Sequence, residues 1–137
     1  MKKQIKNRKL KGMTLTELLV VMAILGILIL IAYPVLTPIF QKARSTEAKN
    51  NLVHLANLQK VYFLEHTRYS DDPGKVGFQQ EALETEGGKA FYQIEITEAS
   101  SSNFRASATS IADFDGDGIF NIWEIDKSGI PIEVVQD

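Results

Sequence analysis

Lys11-Gly12-Met13-Thr14-Leu15-Thr16-Glu17-Leu18-Leu19-Val20-Val21-Met22 places the last lysine of a basic run, one glycine, a glutamate and the start of a long apolar segment in that order. From Leu18 to Leu36 no residue carries a charge, and most are Leu, Ile, Val, Ala or Met. A bilayer core takes about 20 apolar residues as a helix, so the run is long enough to span one. Glu17 stands at its outer end, and an unpaired carboxylate carried into hydrocarbon is costly, ~2.5 kcal/mol or more at the bilayer centre. Such a residue needs a partner.

Upstream lie Lys2, Lys3, Lys6, Arg8, Lys9 and Lys11 with no acid among them, the pattern of a cytoplasmic anchor under the positive-inside rule. The rest of the chain then falls on the far side of the inner membrane. An ordinary secretory signal would carry a small-residue cleavage site after its apolar stretch. Ile31-Ala32-Tyr33-Pro34-Val35-Leu36 offers none, and the glycine comes before the run. A simple uncut signal anchor is the competing reading.

The stretch resembles the processing site of type IV prepilins and of the pseudopilins of type II secretion. The resemblance implies that residues 1–12 are a leader, cut between Gly12 and Met13 by a prepilin peptidase that also N-methylates Met13. It makes Glu17 the fifth residue of the mature chain. Most members of the family begin there with Phe, whereas this chain begins with Met. Residues 13–38 would form the transmembrane and filament-core helix, and residues 39–137 a globular domain. The expected partners are the peptidase, other copies of the chain and related pilins, inner-membrane lipid and an assembly platform. The chain would be single-pass in the bacterial inner membrane, then part of a pilus or periplasmic pseudopilus.

A length of 137 residues supports one small domain besides the membrane segment. Removing the six leader cations from the 15 basic residues leaves 9 against 17 acidic, so the mature chain is near −8. Nucleic-acid binding rests on phosphate neutralisation, so none is expected; a minor pilin that binds DNA at a filament tip is a further alternative, one that would need a local basic patch. There is no cysteine, and hence no C-terminal disulfide loop of the kind many major pilins carry.

Thr14 to about Glu65 reads as one long helix. Pro34 and Pro38 each remove a backbone donor and crowd the carbonyl four residues back, and Gly26 is a further weak point. They either kink a continuous helix or let residues 26–38 loosen when the subunit leaves the membrane; pilins place a proline at the position of Pro34. In residues 39–66, Ala48, Leu52, Leu55, Leu58 or Gln59, and Tyr62 recur at helical spacing, a stripe that must bury itself against a sheet. His54 and His66 read as ordinary helix residues. Residues 67–90 form a loop, turn-rich over Thr67–Gly74 and acidic over Glu81–Gly88, with one short helical turn. Tyr62, Glu65, Tyr69 and Gly77-Phe78 resemble the helix-to-sheet connection of pilins, a surface loop that touches neighbouring subunits. Residues 91–137 read as sheet, with strands at 92–98, 104–109, 119–126 and 130–135 and Pro131 on an edge. The expected fold is α+β and pilin-like, a long helix packed on a small antiparallel sheet.

Asp113-Phe114-Asp115-Gly116-Asp117-Gly118, followed by Glu124, has the spacing of a calcium loop. Alternate carboxylates, a glycine for the sharp turn and a last glutamate would supply hard oxygen ligands, so Ca2+ is a candidate cofactor held by Asp113, Asp115, Asp117 and Glu124. The flanks read as strands and not helices, and Asp-Gly pairs are also the preferred hairpin turn. Both readings stand. No enzyme constellation is visible: Cys is absent, as are a Gly-rich phosphate loop and a His pair at metal spacing. The expected role is therefore structural, a prepilin assembled through its apolar helix with Glu17 pairing to the Met13 amino group of a neighbour. A type II secretion pseudopilin is the alternative within the class. A membrane-tethered calcium-binding module that never polymerises is the alternative outside it.

Overall fold

The computed structural model describes residues 12–114 and 116–137, with the backbone alone described at 34–37. Residues 1–11 of the expected leader, and Asp115, lie outside the described residues. The order is α1 (Leu15–His66), a short 3-10 turn (Glu84–Glu86), then β1 (Tyr92–Ala99), β2 (Phe104–Ser110), β3 (Ile122–Asp126) and β4 (Ile132–Val135). This is the expected α+β fold of one long helix and a small antiparallel sheet. α1 takes in both Pro34 and Pro38. Two compact units are defined, Met1–Leu36 and Thr37–Asp137.

In the first unit, the 19 residues Leu15–Tyr33 are long and apolar enough to cross a membrane, and none is buried. A helix that is apolar all round and uncovered needs a lipid or protein environment.

In the second unit the four strands lie in chain order, each antiparallel to the next. Period-two alternation turns Tyr92, Ile94, Phe104, Ala106, Ala108, Trp123 and Ile125 inward. Small Ala106 and Ala108 of the inner strand β2 share one buried cluster with the helix stripe. Ala48, Leu52, Leu55, Ala56 and Gln59 of α1 are buried, so the stripe passes through Gln59 and leaves Leu58 only partly covered. Each large apolar side chain removed from water contributes roughly 1.5–3 kcal/mol.

Gln59 is the polar member of that stripe. Its Oε1 accepts the Ser70 N–H at 3.0 Å and its Nε2 donates to the Ser70 carbonyl at 2.6 Å. The side chain acts as a strand would, tying the loop after the helix to the core. Gln80 does the same for the outer edge of β1, accepting from the Ile94 N–H and donating to the Tyr92 carbonyl. Both histidines sit on α1, His66 stacked on Tyr62 at 4.1 Å and His54 tilted against Phe78 at 6.0 Å.

The third strand starts later than its sequence indicates. Ile119 and Phe120 are exposed and outside β3. Gly118 has φ 87°, and the Ile119 N–H goes to Asp117 Oδ1 at 2.7 Å, so the turn holds these residues off the ladder until Asn121. β4 likewise begins at Ile132, just after Pro131.

Candidate functional site

The first candidate site opens α1. Thr14 precedes the helix, and the Leu18 N–H closes the first intrahelical bond on its carbonyl at 3.1 Å. The Thr14 N–H donates to Glu17 Oε2 at 2.7 Å, the Thr14 hydroxyl donates to the same oxygen at 2.9 Å, and the Glu17 N–H donates to Thr14 Oγ1 at 3.3 Å. This is a capping box, which satisfies two otherwise orphaned backbone donors reciprocally. The need for a partner at Glu17 thus has an answer inside one chain. Both members lie beyond the Gly12–Met13 bond, so the box would survive cleavage there. Met13, Thr16, Glu17 and Val20 line one shallow open groove on the helix. The helix was expected from Thr14 without this pairing, for which the Thr-x-x-Glu spacing was the available signal.

The second candidate site is the aspartate loop of the globular unit. Oxygens of Asp113, Asp117 and Asp137 lie within 4.8 Å of one another. Asp137 arrives from beyond β4, 20 residues after Asp117, and no spacing rule pointed to it. Asp137 Oδ2 accepts the Phe114 N–H at 2.9 Å, while Oδ1 is occluded and has no hydrogen-bond partner. Asp113 accepts from the Gly116 N–H at 2.6 Å and the Gly118 N–H at 2.8 Å. Gly116 and Gly118 have φ of 83° and 87°, a backbone that side-chain-bearing residues rarely adopt. Glu124 does not join the loop. It is carried into β3 opposite Ser107 and Ile132, and its carboxylate faces Arg105 at 3.7 Å. The strand that begins at Ile122 turns it onto the sheet, which removes it from the expected ligand set.

Around this loop the core is polar and well connected. The Tyr92 hydroxyl donates to Asn121 Oδ1 at 2.8 Å, and Asn121 Nδ2 donates to Glu133 at 2.8 Å and to the Val135 carbonyl at 3.0 Å. Burial holds the Tyr92 phenol well above its usual range, helped by the nearby carboxylates of Glu47, Asp137 and Glu133. Arg44 stacks over Phe91 at 4.2 Å and Phe114 at 4.9 Å, which ties the loop to α1. Glu47 accepts the Phe91 N–H at 3.0 Å, and its pKa is raised by partial burial against the lowering effect of that bond.

An apolar, uncovered helix with a carboxylate in its first turn, followed by an amphipathic half-helix on a four-stranded meander, defines the pilin-like class of membrane-anchored subunits. Comparison with known proteins places the chain within it. Residues 7–33 match the prokaryotic N-terminal methylation motif. Residues 34–118 match the family described as type IV minor pilin ComP, DNA uptake sequence receptor. That match takes in more than half of the chain, and the chain belongs to this type IV pilin family. It is also 43% identical over 75 residues to the type IV major pilin protein PilA of Myxococcus xanthus (strain DK1622). The alignment covers 55% of this chain and 34% of that relative, so the chain matches about a third of the relative's length.

Proposed function

We propose that this chain is the precursor of a filament subunit, cut between Gly12 and Met13, N-methylated on Met13 and assembled through its apolar helix. The observation that carries the reading is the wholly uncovered Leu15–Tyr33 helix, opened by a Glu17 carboxylate five residues after Gly12. Such a surface is stable in lipid before assembly and against the same helices of other copies after it. Before assembly the Glu17 carboxylate is hydrogen-bonded locally by Thr14. In the filament it exchanges that bond for the charged amino group of Met13 on a neighbour, a stronger partner that also fixes register. Pro34 and Pro38 supply the place where the helix adjusts on leaving the bilayer.

Intact mass and N-terminal sequencing of the membrane-extracted protein test the processing step. A chain starting at Met13 and heavier by one methyl group is expected; one starting at Met1 refutes it. Glu17→Ala should insert in membranes as the wild type does and give little filament. Wild-type filament yield from that variant would remove Glu17 from the assembly step.

The loop supports a second property, calcium binding. Asp113 and Asp117 with Asp137 in place of Glu124 give converging carboxylates. The occluded, unpartnered Asp137 Oδ1 is the kind of atom a cation smaller than water would satisfy. The residues fit a hard divalent ion, which would fasten the end of the chain to the loop. Calcium should raise the thermal midpoint of the intact chain, and Asp137→Asn should abolish the rise. An unchanged midpoint leaves the loop as a hairpin turn held by its own backbone bonds.

A further inference from the structure

A polar cleft of about 340 Å³ opens in the globular unit where β1 ends, between Tyr62 of α1 and Ser101 of the turn after the strand. Arg68, Lys75 and Asp71 give it two positive charges and one negative. Among the described residues Arg68 and Asp71 form no ion pair, and Lys75 reaches only Asp72, at 3.9 Å with both side chains exposed. Such a pair contributes little, so the cleft holds its charges largely unmet. The other end of β1 carries the reverse pattern. Residues 84–87 form an exposed 3-10 turn shortly before the strand, bearing Glu84 and Glu86, with exposed Lys89 just after it. None of these three forms an ion pair among the described residues. The turn is held from within, the Glu84 N–H donating to the Ala90 carbonyl and the Gly88 N–H to the Leu83 carbonyl, each at 2.9 Å. A knob already ordered in the free chain loses little entropy when it docks.

Knob and cleft cannot meet within one chain. The eight residues of β1 separate them by about 23 Å of strand. The helix beside it agrees: Glu47 is bonded to the Phe91 N–H at the knob end, and Tyr62 at the cleft lies about 22 Å further along α1. Two acids and a base at one end therefore match two bases and an acid at the other end of a second copy. We infer that the 84–87 turn of one copy seats in the Arg68–Lys75 cleft of the next. Glu84 and Glu86 take the guanidinium and ammonium donors there, and Lys89 faces Asp71. Because the two surfaces differ, each copy keeps one of each free for a further neighbour. Contacts of this kind build rings or open helical arrays and not two-fold pairs. The inference rests on the filament reading above and adds to it the surface through which the globular units are ordered.

The chain has no cysteine, so Thr85→Cys on the knob and Ser101→Cys beside the cleft supply the only thiols of a double variant. A disulfide spans Cα atoms roughly 4.4–6.8 Å apart, so a bond between these two positions must join two copies. Sedimentation and microscopy of the wild type come first, and a wild type that gives no filaments overturns the filament reading and this contact with it. Filaments of the double variant, mildly oxidised and separated under denaturing, non-reducing conditions, should give a ladder of covalent multimers. Each single variant should stop at the dimer. Filaments that form but give no ladder overturn the contact and leave the filament reading standing. Should the double variant not assemble, charge reversal reads the same contact. Arg68→Glu should lower filament yield about tenfold, since like charges facing across a contact are strongly unfavourable, and Glu86→Lys added to it should restore most of the yield. Wild-type yield from Arg68→Glu alone, or no recovery in the pair, overturns the contact.

Discussion

Replacing Gln59 by leucine tests whether hydrogen bonding or apolar burial governs the junction between α1 and the loop after it. Gln59 is fully buried and Ser70 is 4% exposed, so neither Ser70 backbone group has water to fall back on. Gln59→Leu keeps the volume but removes the partner of both. Two orphaned buried groups cost about 2–6 kcal/mol, while the added apolar burial returns roughly 1.5–3 kcal/mol. The balance is a loss of about 2 kcal/mol. With a urea slope of roughly 1–3 kcal/mol per molar, the midpoint should fall by about 1 M. Urea unfolding of the full chain in mild detergent, followed by Trp123 emission, measures it. Gln59→Glu sharpens the test. Its carboxylate still accepts the Ser70 N–H but faces the Ser70 carbonyl with no proton to donate, so the folded-state pKa should lie above the unfolded value of about 4.3. Stability is then retained below that value and lost as pH rises through the folded pKa. A Gln59→Leu chain as stable as wild type, or a Gln59→Glu chain indifferent to pH, would refute the reasoning.

Glu47→Gln retains the acceptor for the Phe91 N–H and removes a partly buried charge. Because the Glu47 pKa is raised by desolvation, the wild type is handicapped above its unfolded pKa. The variant should melt at or above the wild-type midpoint at pH 7, with the advantage vanishing below about pH 4. Gly88→Ala would drive a Cβ into the Ala82 carbonyl oxygen. The clash is with backbone, so the amides of Lys89 and Ala90, both bonded to that oxygen, should lose hydrogen-exchange protection. Tyr92 should stay un-ionised in an alkaline ultraviolet titration after exposed phenols have titrated, since burial pushes it up. Stability from this tyrosine is complete below about pH 10 and declines above it. The family match carries the words DNA uptake sequence receptor, whereas a net charge near −8 over residues 13–137 opposes phosphate contact. A gel-shift titration with duplex DNA at low salt should show no binding below micromolar protein. A complex that weakens steeply with salt would locate a basic patch that net charge conceals.

The apolar helix was legible in the sequence because its physics is local: a charge-free run of helical length owes nothing to distant residues. The strands were legible through period-two alternation, and the helix stripe through its spacing of three and four. Tertiary structure decided the rest. It passed the stripe through Gln59, because the Ser70 backbone needed a partner that leucine lacks. It moved the start of β3 to Ile122, because the Asp117 side chain competes for the Ile119 N–H. It took Glu124 onto the sheet beside Arg105 and brought Asp137 to Asp113 and Asp117 in its place. Spacing along a chain specifies which residues share a helix face or a strand face. Which carboxylates converge at one point depends on where the backbone turns and where its end comes to rest.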